Sequence, residues 1–284
     1  MRRRTLALVV TSLGAFVLVA CASLGGLSGG TEDGPDAAKE GATTVEAASE
    51  PIREASAPLD AADAGAYCDG IDATLCEDFD DTNAPGVFPG WAQAVAAGSS
   101  LTRVDAGYSA PNALQVDIEA NAQSDAGTTL VANLAAALPT ASRVRLVYRF
   151  IVDTPDPGGS TLHLCTLTAT NAGTQMNVRF ALASGKGKFV TAVYPTDGGA
   201  AAFNNPGEQP LVSAGVWHDV EISLDLVGQF ACATVKFDGA VVTDDAAIVS
   251  LGPSPLKVQI GAFYASAPTS GWSVRIDDYA VFAE

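Results

Sequence analysis

Two groups of polar side chains recur at alternating positions of segments with strand-like patterning. Arg143, Arg145 and Arg149 are separated by even numbers of residues, so a single strand would place all three on one face. Asn177 and Arg179 share a face of another segment in the same way. Guanidinium groups bind carboxylates through charge-assisted hydrogen bonds. The spacing predicts one sheet face that binds an anionic ligand, such as an acidic polysaccharide; the alternative is that these arginines pair with acidic residues on neighbouring strands.

The overall charge restricts the classes of ligand. The 284-residue chain has 32 acidic and 15 basic residues, which give it a formal net charge of −17. A chain this acidic repels phosphate backbones, which argues against nucleic acid as a partner. Hydrophobic residues make up 48% of the chain, enough to build a folded core.

The first 20 residues have the pattern of a secretory signal. Arginines at 2–4 precede an apolar run at 5–19, which is shorter than the ~20 residues that span a bilayer. The run leads into Leu-Val-Ala-Cys, ending at Cys21, and this ending resembles the lipobox of bacterial lipoproteins. The resemblance implies cleavage before Cys21, lipidation of that cysteine and attachment to a membrane. Ala22 at the next position implies, within that family, export to the outer membrane or cell surface.

Residues 21–66 have a different composition from the rest of the chain. Positions 31–66 hold nine acidic and two basic residues, and no aromatic residue occurs between Cys21 and Tyr67. Such a segment buries too little apolar surface to offset the loss of chain entropy on folding. We therefore expect a disordered, acidic tether that separates the membrane anchor from a folded domain at 67–284.

The domain at 67–284 has the pattern of an all-β protein. Twelve segments alternate apolar and polar residues with period two, and turn-forming residues lie between them. In the segment at 143–153, for example, Val144, Leu146, Tyr148 and Phe150 fall on one face. This pattern predicts one large antiparallel sandwich of two sheets.

Three stretches, taken in order, resemble the concanavalin A-like lectin/glucanase jelly roll, a family that includes laminin G-like modules. They are an opening strand at 76–80, a strand beginning Trp-His at 217 followed by one ending Asp-Gly at 239, and a closing Ile-Asp-Asp strand at 274–281. The resemblance implies a jelly roll of two curved sheets, one of which binds or cleaves glycans in relatives. Fold alone does not settle function.

The same family provides two tests for catalysis. Its glucanases carry Glu-x-Asp-x-x-Glu, which is absent from this chain. Its alginate-lyase-type members use an arginine strand, a histidine strand and a late strand with a catalytic tyrosine. The comparison adds His163 and Gln259 to the candidate binding residues, but Phe263 stands where that tyrosine is expected. We therefore expect non-catalytic binding of a glycan or cell surface; a lyase-like enzyme with an altered site and a protein-binding adhesion or structural module remain alternatives.

Acidic residues on the first and last strands suggest a second site. In the concanavalin A-like family the terminal strands often pair, and a structural calcium ion can lie beside them. Carried over to this chain, the candidate ligands are Asp78, Asp80 and Asp277, with Asp278 adjacent, because calcium prefers oxygen ligands. The alternative is that these carboxylates end their strands in water.

Four cysteines remain once the lipidated one is set aside. An even number in an exported protein predicts two disulfides, for which three connectivities exist. Proximity in sequence favours Cys68–Cys76, which leaves Cys165–Cys232 as the second bridge. The alternative for the second pair is two buried thiols.

Overall fold

The computed structural model describes most of the expected domain. The described residues are 67–80, 88–109, 111–123, 126–134, 141–155, 160–171, 174–195, 199–207, 209–226, 231–248, 256–266, 268 and 270–284. Within these ranges all regular structure is β, and no helix is long and apolar enough to cross a bilayer. The predicted signal peptide, Cys21 and the tether lie outside the described residues.

The described residues form fifteen strands. They are β1 Leu75–Glu77, β2 Ala92–Val95, β3 Ser99–Val104, β4 Ala113–Ile118, β5 Ala126–Asn133, β6 Arg143–Thr154, β7 Thr161–Asn171, β8 Thr174–Ala183, β9 Lys186–Pro195, β10 Ala202–Asn204, β11 Trp217–Asp225, β12 Ala231–Phe237, β13 Ala240–Ile248, β14 Leu256–Ala265 and β15 Trp272–Ala283.

These strands assemble into two antiparallel sheets. The eight-stranded sheet has the order β13-β12-β11-β6-β15-β4-β3, and β1 also pairs with β15. The seven-stranded sheet has the order β10-β9-β8-β7-β14-β5-β2. The expected all-β, two-sheet sandwich is confirmed.

The core lies between the two sheets and follows the alternation of the sequence. On β6 the predicted inward residues, from Val144 to Val152 at every second position, are all buried. Phe150 of this strand contacts Phe180 of β8 in the other sheet, with ring centroids 5.9 Å apart. Because one face of each sheet is covered by the other, the polar residues of both sheets are directed to the two outer faces.

The start of the domain is fixed to the end of the chain. Strand β1 pairs with the last strand, β15, and a disulfide joins Cys68 to Cys76 with their Cα atoms 5.7 Å apart. The Cys68–Cys76 prediction is therefore confirmed. This bridge ties the first described residues to β1, and through it to β15 of the eight-stranded sheet.

The predicted Cys165–Cys232 bridge is wrong. Cys165 is a buried free thiol on β7 of the seven-stranded sheet, and it lies 3.9 Å from the hydroxyl oxygen of Tyr279 in the core. Cys232 lies on β12 of the other sheet, where its cross-strand partner is Asp225 on the outer face. The two cysteines therefore belong to different sheets and different faces, a separation that their sequence positions do not reveal.

Candidate functional site

The structure divides the predicted binding residues between the two sheets. Arg143, Arg145 and Arg149 lie on β6 of the eight-stranded sheet. The other four candidates lie on three strands of the seven-stranded sheet: His163, Asn177, Arg179 and Gln259. The expectation of one face containing both groups was therefore wrong, because alternation fixes the side of a strand but not the sheet to which the strand belongs.

The three candidate arginines on β6 are each close to a carboxylate. Arg143 Nε lies 2.7 Å from Asp225, and Arg149 Nε lies 2.7 Å from Asp219. Arg149 also binds Asp278. Arg145 lies 3.7 Å from Glu284. For these residues the structure agrees with the alternative of ion pairs on an outer sheet face.

A cavity of about 520 Å³ opens beside these ion pairs on the eight-stranded sheet. Its charged lining is balanced, since Lys236 Nζ lies 3.0 Å from Glu221 and Arg149 is paired as described above. The guanidinium of Arg145 stacks on Phe282 at 4.0 Å from the ring centroid. Charges that already neutralise one another leave little net attraction for an anion.

The seven-stranded sheet carries a different cavity, of about 300 Å³, which we call the polar groove. Among the described residues, its lining contains hydroxyls, amides and two cations but no carboxylate; the residues are Asn133, Thr166, Thr168, Thr170, Gln175, Asn177, Arg179, Leu256, Lys257 and Gln259. Cross-strand pairs bring the polar members together: Arg179 pairs with Thr166, and Thr166 pairs with Gln259. Directly paired residues on adjacent strands point to the same face.

A β-bulge in β7 brings His163 to the outer face. The pairing of β7 with β8 shifts between His163 and Cys165, so Leu164 and Cys165 are both buried in the core although they are consecutive. An extra residue at a bulge reverses the alternation beyond it. His163 and Thr166 therefore face the same side although they are three positions apart.

Arg179 is the central charge of the polar groove. Its side chain is only 8% exposed, and its Nη2 donates a hydrogen bond to the hydroxyl of Tyr194. With the Asn177 amide oriented to satisfy both of its ends, Arg179 Nη2 also donates to Asn177 Oδ1 at 2.8 Å. Both partners are neutral, and no ion pair among the described residues includes Arg179.

Two polar atoms at the groove have unused hydrogen-bonding capacity. Arg179 Nε and Thr166 Oγ1 are buried and have no hydrogen-bond partner among the described residues. Unsatisfied buried polar atoms are rare in proteins because each costs about 1–3 kcal/mol. These two atoms therefore add to the energetic cost of the buried polar groups at the groove.

His163 is uncharged at neutral pH. Burial, and next the charge of Arg179, lower the pKa of His163 from 6.5 to about 4. Its ring packs edge-to-face on Phe263, with centroids 5.9 Å apart. Phe263 thus lies beside the histidine and supplies no hydroxyl for proton transfer.

The groove continues toward β2 as a less polar depression. This depression is the second cavity of the seven-stranded sheet and has a volume of about 280 Å³. It shares Gln259 with the polar groove, and its other lining residues are Ala94, Val95, Ala96, Gly127, Thr129 and Phe263. The seven-stranded sheet therefore presents an open path across its strands, with the charged groups at β8 and β14.

Three of the four acidic residues considered as calcium ligands are buried. Asp277 and Asp278 are almost completely buried, and Asp78 is 8% exposed. Burial, and next the carboxylate of Asp278, raise the pKa of Asp277 to about 8. The backbone N–H groups of Tyr108 and Ser109 donate to Asp277 at 2.7 and 3.1 Å. Among the described residues, no group of three or more His, Cys, Asp or Glu side chains is arranged to hold a metal ion, so calcium stays a prediction.

Sequence reasoning missed several residues of the polar groove. Nothing in the sequence distinguishes Thr166, Thr168 and Lys257 from other strand residues, and the same holds for Tyr194, which binds Arg179 beside the groove. Their proximity to Arg179 depends on strand order, in which β14 lies between β7 and β5. The one available signal was alternation within each strand, which does not identify neighbours.

Comparison with known proteins supports the fold. No protein-family model matches the chain, and no curated protein matches its sequence. An endo-β-1,4-glucuronan lyase from the fungus Trichoderma reesei superposes with a TM-score of 0.56 at 12% identity, covering 75% of this chain and 96% of that one. The cellulose-induced protein Cip1 gives a TM-score of 0.52 at 13% identity, covering 74% and 97%. Such low identities establish a shared β-sandwich fold and nothing further.

Proposed function

We propose that the protein binds an acidic polysaccharide in the polar groove of its seven-stranded sheet. The observation that carries this proposal is Arg179, a cation nine-tenths buried at the groove with neutral partners and no described carboxylate partner. A buried charge without a counter-ion destabilises the fold, so an anionic ligand is the partner that its surroundings lack.

The charge of the groove favours a uronate over a neutral sugar. Arg179 and Lys257 are its two charged lining residues, and both are positive in a chain whose net charge is −17. A local positive field of this kind attracts anions to a surface that otherwise repels them. A protein of the same fold, the glucuronan lyase, acts on a glucuronan, which agrees with this ligand class.

The proposal is tested by isothermal titration of the full chain with glucuronan, alginate and a neutral glucan. We expect binding to the two polyuronates and not to the neutral polymer. The affinity should fall as salt is added, because salt screens the long-range attraction between the positive groove and a polyanion, with a screening length of ~8 Å at physiological ionic strength. Equal binding of the neutral glucan, or no binding of any polymer, would refute the proposal.

A second candidate function is polysaccharide lysis by β-elimination. In that reaction a base removes the proton at C5 of the uronate, the C4–O4 bond breaks, a C4–C5 double bond forms, and an acid protonates the leaving oxygen. His163 favours this candidate because it is an unprotonated imidazole at neutral pH beside Arg179, which can neutralise the uronate carboxylate, although its low pKa makes it a weak base. Phe263 argues against it, since the residue packed on His163 cannot act as the acid.

The ultraviolet absorbance of the unsaturated uronate product separates binding from lysis. Incubation with each polyuronate should leave the absorbance unchanged if the protein only binds. A rise in absorbance that His163→Gln abolishes, while binding persists, would establish the lyase instead.

We also propose that the domain is displayed from a bacterial membrane through a lipid on Cys21. The support for this proposal is the sequence alone: the basic start, the short apolar run and the Leu-Val-Ala-Cys ending. A lipid-anchored domain with a polyuronate site would hold acidic polysaccharide at the cell surface.

A further inference from the structure

An exposed aromatic ring lies at the β10 edge of the seven-stranded sheet. Phe203 is 61% exposed, and all three residues of its strand are exposed. Isolated apolar residues are common on protein surfaces and do not by themselves indicate a binding site. Phe203 differs because its ring meets Tyr194 edge-to-face, with centroids 5.9 Å apart, and Tyr194 in turn accepts the hydrogen bond from Arg179.

The strand register places Phe203 on the same face as the polar groove. Phe203 pairs with Ala192 of β9, Ala192 pairs with Asn177 of β8, and Asn177 pairs with Thr168 of β7. Directly paired residues share a face. Because neighbouring strands are ~4.8 Å apart, Phe203 lies about 10 Å from Asn177 along a line that crosses the strands.

We propose that Phe203 extends the polar groove as a stacking platform for a sugar ring, so that the bound ligand is an extended chain lying across the strands. This inference rests on the proposed function, because it concerns the same uronate polymer. A pyranose ring has polar edges and apolar C–H faces. Arg179 receives the carboxylate of one unit, and Phe203 receives the apolar face of a unit further along.

The residues between the two contact points are suited to this path. Ala192, which lies between Phe203 and Asn177 in the register, is fully buried, so the surface on this row is formed by the side chains around it. Tyr194 supports the Phe203 ring from the side and holds Arg179 at the groove. The aromatic pair thereby connects the platform to the anion-binding group.

The experiment measures the affinity of the full chain for purified oligoglucuronates, from the disaccharide to the octasaccharide. For the natural protein, we expect affinity to rise with length until the ligand reaches Phe203. Phe203→Ala should bind short oligomers normally and long ones about three- to tenfold more weakly, the range expected for an aromatic stacking contact.

Three further variants define the cause of such a loss. Phe203→Trp should keep the length dependence because it keeps a flat ring, whereas Phe203→Leu should lose it. Val241→Ala is the matched control, since Val241 is 53% exposed but lies on β13 of the other sheet, and it should change no affinity.

The outcomes separate this inference from the proposed function. Phe203→Ala affinities equal to those of the natural protein at every length, or reduced equally at every length, would overturn the platform while leaving polyuronate binding intact. If the natural protein binds no oligomer at all, both the proposed function and the platform are refuted.

Discussion

His163 is held uncharged by burial and, to a smaller extent, by the guanidinium of Arg179 on the neighbouring strand. The pKa of His163 is about 4 in the folded protein, whereas a solvent-exposed histidine, as in the unfolded chain, has a pKa of 6.5. Between these values the unfolded chain binds more protons than the folded chain at this position. Stability therefore decreases as the pH falls from about 6.5 to about 4.

The first prediction concerns this pH dependence. We expect His163→Gln to reduce the loss of unfolding free energy that accompanies acidification through this range, because glutamine does not titrate. Urea unfolding of the natural protein and the variant at several pH values between 4 and 7 measures the difference. The same pH slope in both proteins would contradict the assignment.

The sequence pattern predicted which face of a strand each side chain occupies, but it did not predict which strands are neighbours. Alternation on β6 placed Val144 and Arg143 on the correct faces, because each strand has a buried and an outer side. It could not show that β6 and β8 belong to different sheets, since sheet membership depends on long-range pairing. Strict alternation would put His163 and Thr166 on opposite faces, whereas the bulge brings them to the same face, and a bulge leaves no mark in the residue pattern.

Short edge strands were also beyond sequence reasoning. Strand β10 has three residues, all exposed, and thus no alternation of burial to detect. Phe203 became a candidate only through its register with Ala192 and its contact with Tyr194.

The second prediction concerns the cysteines. Burial raises the pKa of Cys165 to about 12, so its thiol should resist alkylation at pH 8 in the folded protein and react once the chain is unfolded. Non-reducing mass spectrometry should find Cys68 joined to Cys76. Removing this bridge with the double change Cys68→Ser and Cys76→Ser should cost about 2–3 kcal/mol, because its loop is short. Rapid labelling of Cys165 under native conditions would contradict its burial.

The third prediction concerns calcium. Asp277 and Asp278 are buried side by side, and their repulsion contributes to the raised pKa of Asp277. A calcium ion bound by these carboxylates would relieve the repulsion, so we expect calcium to raise the Tm and EDTA to lower it. Magnesium serves as the control cation, and Asp277→Asn should abolish the response. An identical Tm with calcium and with EDTA would exclude the site.

The fourth prediction concerns the membrane anchor. In a bacterial host, the natural chain should incorporate labelled fatty acid and partition into detergent, because acyl chains on Cys21 contribute ~0.8 kcal/mol per buried CH₂. Cys21→Ser should remove the label and leave unprocessed or soluble protein. Unchanged detergent partitioning of this variant would show that another feature attaches the protein.

The fifth prediction contrasts two arginines on opposite faces of the sandwich. Arg179 is buried with neutral partners, whereas Arg143 is exposed and paired with Asp225. Arg179→Met should weaken polyuronate binding about 10- to 100-fold, the loss expected for charge-assisted hydrogen bonds. The same change should leave the unfolding free energy unchanged or raise it, because it removes a buried charge without a counter-ion.

Arg143→Met is the matched control for this fifth prediction. It removes an exposed ion pair, so it should lower the unfolding free energy by no more than about 1 kcal/mol and leave polyuronate affinity unchanged. Titration calorimetry and urea unfolding of both variants give the four values required. A structural role for Arg179 would instead reduce stability together with affinity, and a binding role for the eight-stranded sheet would make Arg143→Met the weaker binder.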